Sequence, residues 1–302
     1  MFTLRKRPMV PFFSTVSGNP KEAVGPEAPK VAHTDCGSMV QEEIDKLESY
    51  RPEYIGLIKT VIMPDHAHIL LRVRQRLERP VTSYVGATMS AITSRLRKSG
   101  MIPMGESCFE EGITDSIVRG NGHYDILYSY ICDNPRRLLM KRQYPDLFRR
   151  RLSITIGEVA YDAVGNMFLL RRPLVAVHVR RAWSKEEIEK YHAECCGKAE
   201  NGYVLISPFI HPGEKAIMKE VIEAGGSVIK LSDRGFGERW KPTGRAFDLC
   251  AAGRLLCLAE AGSSEMKTEM RYAKASRMNR LAEAMADIGP VQMKISGNSL
   301  KK

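Results

Sequence analysis

Apolar and polar positions change rhythm along the chain, and the change divides it into two halves. Helical signals span Val40 to Tyr50, among the charges of Glu42, Glu43, Asp45, Lys46 and Glu48. The next stretch, YIGLIKTVIMPDHAHILLRV, is β-rich and broken at Pro64, which predicts two strands on either side of Met63–Asp65. A helix is expected over 81–98, closed by Arg95, Arg97 and Lys98 with Gly100 just past its end. A second helix is expected from about Gly122 to Asp133. It should stop at Asn134-Pro135, because the residue before a proline is steered away from helical geometry. Residues 16–38, rich in Gly, Pro, Ala and Ser, read as a loop or an extended lead-in.

Beyond residue 151 the texture changes. LSITIGEVAYDAVGNMFLL reads as a β-hairpin turning at Gly165-Asn166. Apolar strands over 174–179, 203–207, 227–232 and 254–259 then alternate with helices near 184–199 and 213–224 and a last one over about 266–287. That alternation predicts a parallel, doubly wound sheet. The expected class is therefore α/β, with domains 1–150 and 151–302, the second Rossmann-like. No internal repeat or low-complexity tract interrupts this plan.

Composition narrows the classes. A chain of 302 residues suits two domains of ordinary size, and 43% hydrophobic with 27% charged residues is globular rather than fibrous. No run of eighteen apolar residues predicts a membrane helix. The first fifteen residues start basic but lack a continuous apolar core, so they read as mature protein rather than a signal peptide. Seven cysteines lie without a pairing rhythm or any C-x-x-C, which fits reduced thiols in a cytoplasmic protein and argues against a disulfide framework or a cysteine zinc site. The net charge of +11 is shared by both halves and suits an acidic polymer such as nucleic acid, although many basic proteins bind none.

Candidate chemistry concentrates at Asp65-His66-Ala67-His68. Alternation along a strand puts His66 and His68 on one face and Ala67, Ile69, Leu71 and Val73 on the other. Two imidazoles so placed can converge on a cation; two core histidines are the plain alternative. A zinc hydrolase needs three or four recognisable ligands, and histidines 33, 123, 178, 192 and 211 fall in no such pattern. A two-histidine site completed by oxygen ligands fits Mg²⁺ or Mn²⁺ better.

The segment HYDILYSYICDNP carries three tyrosines. Tyr124, Leu127, Tyr128 and Ile131 recur at helical spacing and suggest an apolar stripe, with both tyrosines packed in the core. Tyr130 shares a face with Asn134 across one turn. A phenol that ordinarily titrates near 10 is a poor nucleophile at neutral pH, so a cation held by the Asn134 amide oxygen would have a clear role beside it. Leu127, Tyr130, Ile131 and Asn134 equally form a stripe that would bury Tyr130.

MPDHAHILL, followed some sixty residues later by YSYICDNPRR, resembles the REP-associated tyrosine transposases, a branch of the single-tyrosine HUH superfamily. The resemblance covers about residues 50–150. It implies a ferredoxin-like α+β domain in which the strand of His66 and His68 faces the helix of Tyr130. It also implies His66, His68 and Asn134 as ligands of Mg²⁺ or Mn²⁺, and Tyr130 as the nucleophile. The implied activity is nicking and rejoining of single-stranded or hairpin DNA through a 5′-phosphotyrosine. Arg95, Arg97, Lys98, Arg136, Arg137, Lys141 and Arg142 become candidates for backbone phosphate contacts, against the alternative of a solvated charged surface. GITDSIVRG matches the family's segment before the tyrosine helix, with Thr114 where an aromatic or His often stands. The first strand is not placed by this match, and the oligomeric state stays open, a homodimer included.

The second half resembles, in architecture alone, the Rossmann-type core of the DNA-processing-protein-A and lysine-decarboxylase-like groups. Its first strand ends in His178-Val179-Arg180-Arg181 without the usual glycine turn. Ser207 and Gly213-Glu214 could hold an anion at a helix start, or simply cap it. Two other functions stay in view: a DNA-binding protein without chemistry, and a nucleotide-binding enzyme centred on residues 151–302.

Overall fold

A computed structural model describes residues 1–50, 52–120, 122–237, 240–262 and 271–288. The chain divides into two compact units, 1–143 and 144–302. The boundary falls before the expected residue 150 because Phe148 stacks on Phe247, with ring centroids 4.7 Å apart, and so belongs to the second core. Among the described residues no helix is long and apolar enough to cross a membrane.

The first unit contains β1 (Phe2–Arg5), β2 (Ser14–Ser17), β3 (Lys30–His33), α1 (Asp35–Tyr50), β4 (Ile55–Ile62), β5 (His66–Val73), α2 (Val81–Lys98), β6 (Thr114–Asp115) and α3 (His123–Gln143). Its sheet has the order β4-β5-β1-β6 with every pairing antiparallel. Leaving aside the β2–β3 ribbon, the path β1-α1-β4-β5-α2-β6 is the split βαβ of ferredoxin-like folds. The strand that the sequence left unplaced is thus Phe2–Arg5, in the middle of the sheet. The lead-in expected over 16–38 contributes the β2–β3 ribbon and the start of α1.

One face of the sheet presents Phe2, Leu4, Ala67 and Ile69 to Val40 and Ile44 of α1 and to Val85, Ile92 and Leu96 of α2, forming a continuous core. Helix α1 begins a turn earlier than its apolar pattern suggests. The Thr34 hydroxyl accepts the Gly37 N–H at 3.1 Å, capping it, and Gly37 has no side chain to meet the Phe13 carbonyl beside it. The opposite face receives α3, which packs on β4 and β5.

Helix α3 corrects an expectation. It does not end at Pro135 but continues to Gln143. A proline inside a helix removes one hydrogen bond and costs about 3 kcal/mol. Here apolar contact persists on both sides of it: Leu127, Ile131, Pro135 and Met140 are all buried, so packing holds the helix through the missing bond. Tyr124 and Tyr128, expected in the core, are exposed and stack on each other at 6.0 Å. The buried stripe is Leu127, Ile131 and Asn134, with Tyr130 half-buried beside it.

The second unit contains α4 (Pro145–Phe148), β7 (Arg151–Ile156), β8 (Val159–Gly165), a 3₁₀ turn (Met167–Arg171), β9 (Leu174–Ala176), α5 (Lys185–Glu200), β10 (Val204–Ser207), α6 (Pro212–Glu223), β11 (Val228–Ser232), α7 (Arg245–Ala251), β12 (Leu255–Glu260) and α8 (Arg271–Asp287). The expected residues 266–270 of the last helix lie outside the described residues. The sheet is mixed, in the order β7-β8-β12-β11-β10-β9, with β9 to β12 parallel and the β7–β8 hairpin antiparallel at one side.

Two expectations change here. The hairpin turns at Gly157-Glu158, where Gly157 has φ +61°, not at Gly165-Asn166. Gly165 ends β8 instead, with φ +122° and with no room for a Cβ against the Leu255 carbonyl of β12. Nor is the sheet doubly wound. Strands β9 to β12 stand in chain order, so each crossover steps the same way, and a common right hand puts α5, α6 and α7 on one face. Residues of β10 to β12 meet that layer through Leu205, Val228 and Cys257, while Ile206, Ile229 and Leu256 meet Met278, Ala282 and Met285 of α8 on the other face.

Candidate metal and tyrosine site

The turn Met63–Asp65 between β4 and β5 fixes the start of β5. The Met63 N–H donates to the His66 carbonyl at 2.8 Å. From there alternation follows the expectation at its first four positions. Ala67 and Ile69 point into the helix-covered core, and the His66 and His68 side chains turn to the face that α3 covers. Further along, Val73 departs from the expected apolar face and is exposed, because β5 runs past the helices there.

The two imidazoles meet. Their Nε2 atoms lie 3.1 Å apart, with the rings nearly perpendicular at 74°. His68 is buried and His66 nearly so. Each Nδ1 is held by an oxygen: His66 Nδ1–H donates to the Asp65 carboxylate at 2.7 Å, and His68 Nδ1 lies 2.9 Å from the Thr3 hydroxyl. That hydrogen bond from His66 holds the Asp65 carboxyl down at about 2, against the opposing effect of burial. Thr3 reaches His68 because β1 and β5 pair in the register Thr3↔His68. A hydroxyl can give or take a hydrogen, so Thr3 accommodates His68 in either tautomer.

This donor set fits a cation. Ligating histidines ordinarily donate their second nitrogen to a carboxylate or another oxygen, which orients the ring and raises its basicity. Two neighbouring ligands on an octahedral ion at about 2.1 Å stand about 3.0 Å apart, close to the separation found here.

Tyr130 joins this pair from α3. Its ring lies edge-on to His68, centroids 5.4 Å apart. The guanidinium of buried Arg137 lies over the same ring, 5.3 Å from its centroid. Asn134, one turn on, is buried, and its Nδ2–H donates to the Tyr130 main-chain carbonyl at 2.7 Å. The amide oxygen is then the end left to serve as a ligand.

The structure thus brings His66, His68 and Tyr130 together, with Asn134 one turn along the same helix. Sequence reasoning missed Thr3 and the part played by Asp65. It had Arg137 only as a phosphate contact, though its spacing of seven from Tyr130 places both on one helical stripe.

The remaining basic candidates separate. Arg95 forms ion pairs with Glu42 and Glu43, tying α2 to α1. Arg97 donates to the Glu106 carbonyl at 2.8 Å. Arg136 pairs with Asp133 at 2.5 Å. Lys98 and Arg142 are exposed, and Lys141 is half-buried in the last turn of α3.

In the second unit a cavity of about 640 Å³ opens among His178, Arg180, Arg181, His211 and Asn279. The anion position expected there is filled by the chain itself. Buried Glu214 takes the N–H groups of Val179, Ile210 and His211 on its own carboxylate, and the Ser207 hydroxyl accepts from Phe209 N–H. Glu214 thus closes the capping box of α6 with His211, and Ser207 braces the loop before it. A comparison with protein-family models finds no match, and none of the curated proteins is similar to the chain.

Proposed function

We propose that the first unit is a single-strand DNA nicking and joining enzyme with Tyr130 as its nucleophile. The observation that supports this best is the convergence of His66 Nε2 and His68 Nε2 at 3.1 Å, each ring braced by an oxygen, beside the half-buried Tyr130 ring. His66, His68 and the Asn134 amide oxygen would hold Mg²⁺ or Mn²⁺, whose charge polarises the scissile phosphate when it is bound.

Tyr130 Oη attacks phosphorus in line. The new tyrosyl–phosphate bond replaces the bond to the 3′ oxygen, which leaves as a free 3′-OH. Bond energy is conserved in the 5′-phosphotyrosine, so a 3′-OH can later reverse the step without a nucleotide cofactor. Arg137 and His68, both in contact with the phenol ring, hold it against rotation. Of the basic residues singled out in the sequence, Lys98 and Arg142 are exposed and would be candidates to meet a DNA backbone.

The deciding experiment incubates the full-length protein with labelled single-stranded DNA, hairpins included, and Mn²⁺ or Mg²⁺. A covalent protein–DNA adduct is expected for the wild type and is lost in Tyr130→Phe. DNA binding with no adduct on any substrate would overturn the nicking activity and leave a binding protein on the same fold.

A further inference from the structure

A second set of ligand-type side chains lies in the other unit. His192, Cys196 and Glu200 recur every four residues along α5, and that stripe faces α6. Across the seam, Glu220 of α6 brings its carboxylate to 2.9 Å from His192 Nε2. The ligating atoms of His192, Cys196 and Glu220 all lie within 4.8 Å of one another, and among the described residues they are the one such group of three. From these side chains and the cavity beside them we propose that the α5–α6 seam binds a transition-metal ion of the Zn²⁺ or Co²⁺ class, with imidazole, thiolate and carboxylate ligands and one position left to solvent.

Three further features support the site. A cavity of about 40 Å³ lies against it, lined by Cys196, Ala199, Glu200, Glu220, Val221 and Gly226. That is room for a cation and a water. The ligand chemistry is of the borderline-soft kind that selects zinc-like ions over Mg²⁺, and so differs from the two-histidine site of the first unit. Finally, the ring nitrogen of His192 is buried and unsatisfied: its Nε2 stands 2.9 Å from the Glu220 carboxylate without forming a hydrogen bond to it, an arrangement that a shared cation would satisfy.

A bound cation takes the place of the Cys196 thiol proton, which is released to solvent. Donors around a tetrahedral zinc stand about 3.3–3.7 Å apart, a closing of the 4.8 Å cluster that side-chain rotation supplies. The sequence offered one sign of it, a histidine and a cysteine four apart on a helix. Without the pairing of α5 with α6, Glu220 cannot be assigned to them.

The test titrates Co²⁺ into full-length protein carrying His66→Ala and His68→Ala, kept reduced by a non-thiol reductant. One ion per chain is expected, with a thiolate-to-cobalt charge-transfer band and the intense visible bands of a tetrahedral site. Cys196→Ser removes the charge-transfer band, while His192→Ala and Glu220→Gln each weaken binding by roughly tenfold or more. Absence of a thiolate band in the reduced protein overturns the proposal. So does a band that survives Cys196→Ser, or one unchanged by both His192→Ala and Glu220→Gln, which would mean that Cys196 acts alone.

Discussion

A histidine offers one ring nitrogen to a cation most readily when the other keeps its proton and a partner to give it to. Asp65 and Thr3 are those partners, and each lies on a different strand position from the ring it braces. Asp65→Asn and Thr3→Val should each weaken Mn²⁺ binding by about 10- to 100-fold, read by calorimetric titration, with the circular dichroism of the fold unchanged. Arg137 makes a different kind of contact, its flat guanidinium over the Tyr130 ring. Arg137→Lys keeps the charge and loses the plane, so adduct formation should slow by roughly tenfold while Mn²⁺ affinity stays put. The histidine pair and the tyrosine were legible because a strand and a helix announce them by local spacing. Thr3 was not, since its role depends on a register between strands more than sixty residues apart.

Among the elements, the α1–α2 contact shows how a basic residue can be spent inside the fold. Arg95 and Lys46 converge on buried Glu43, and the hydrogen bond from Lys46 leads in holding its carboxyl below the ordinary value despite burial. A depressed carboxylate stabilises the fold above its unfolded pKa, and the stabilisation fades as pH falls through the folded value. Arg95→Ala should therefore lower the urea midpoint of unfolding at pH 7, with the deficit shrinking in acid, and should leave DNA affinity nearly unchanged. Gly165→Ala tests a backbone contact instead. A Cβ there meets the β12 main chain in a left-handed conformation, so a loss of several kcal/mol or failure to fold is expected, measured by thermal unfolding. The positions of β4, β5, α2, α5, α6 and β9 to β12 followed from apolar rhythm to within a few residues. Pro135 misled because tertiary burial outweighed a local rule, and Gly165 because a glycine for close approach reads like a glycine for a turn.

The two units carry separate cores, one under α1 and α2 and two more on the faces of the second sheet. If residues 144–302 help to grip DNA, full-length protein should bind hairpin DNA more tightly than residues 1–143, with a steeper fall of affinity in salt; equal affinities and slopes in a filter-binding series would sink that role. What the sequence could not supply at this scale was winding direction. Alternating strands and helices predict a parallel sheet but not whether the crossovers reverse, and here they do not.

The central place of β1 sets a timetable for the first unit. Phe2–Arg5 must wait, unpaired, until the chain has reached β5 before they gain one neighbour, and until β6 for the other. Contacts so distant in sequence form late, because the closure of long loops must precede them. On the ribosome, or in refolding from denaturant, helices α1 and α2 can therefore be present while the two imidazoles still lack Thr3, and Tyr130 arrives last of all on α3. A nascent chain of this kind brings the histidine pair and the phenol together only when nearly the whole unit has been synthesised.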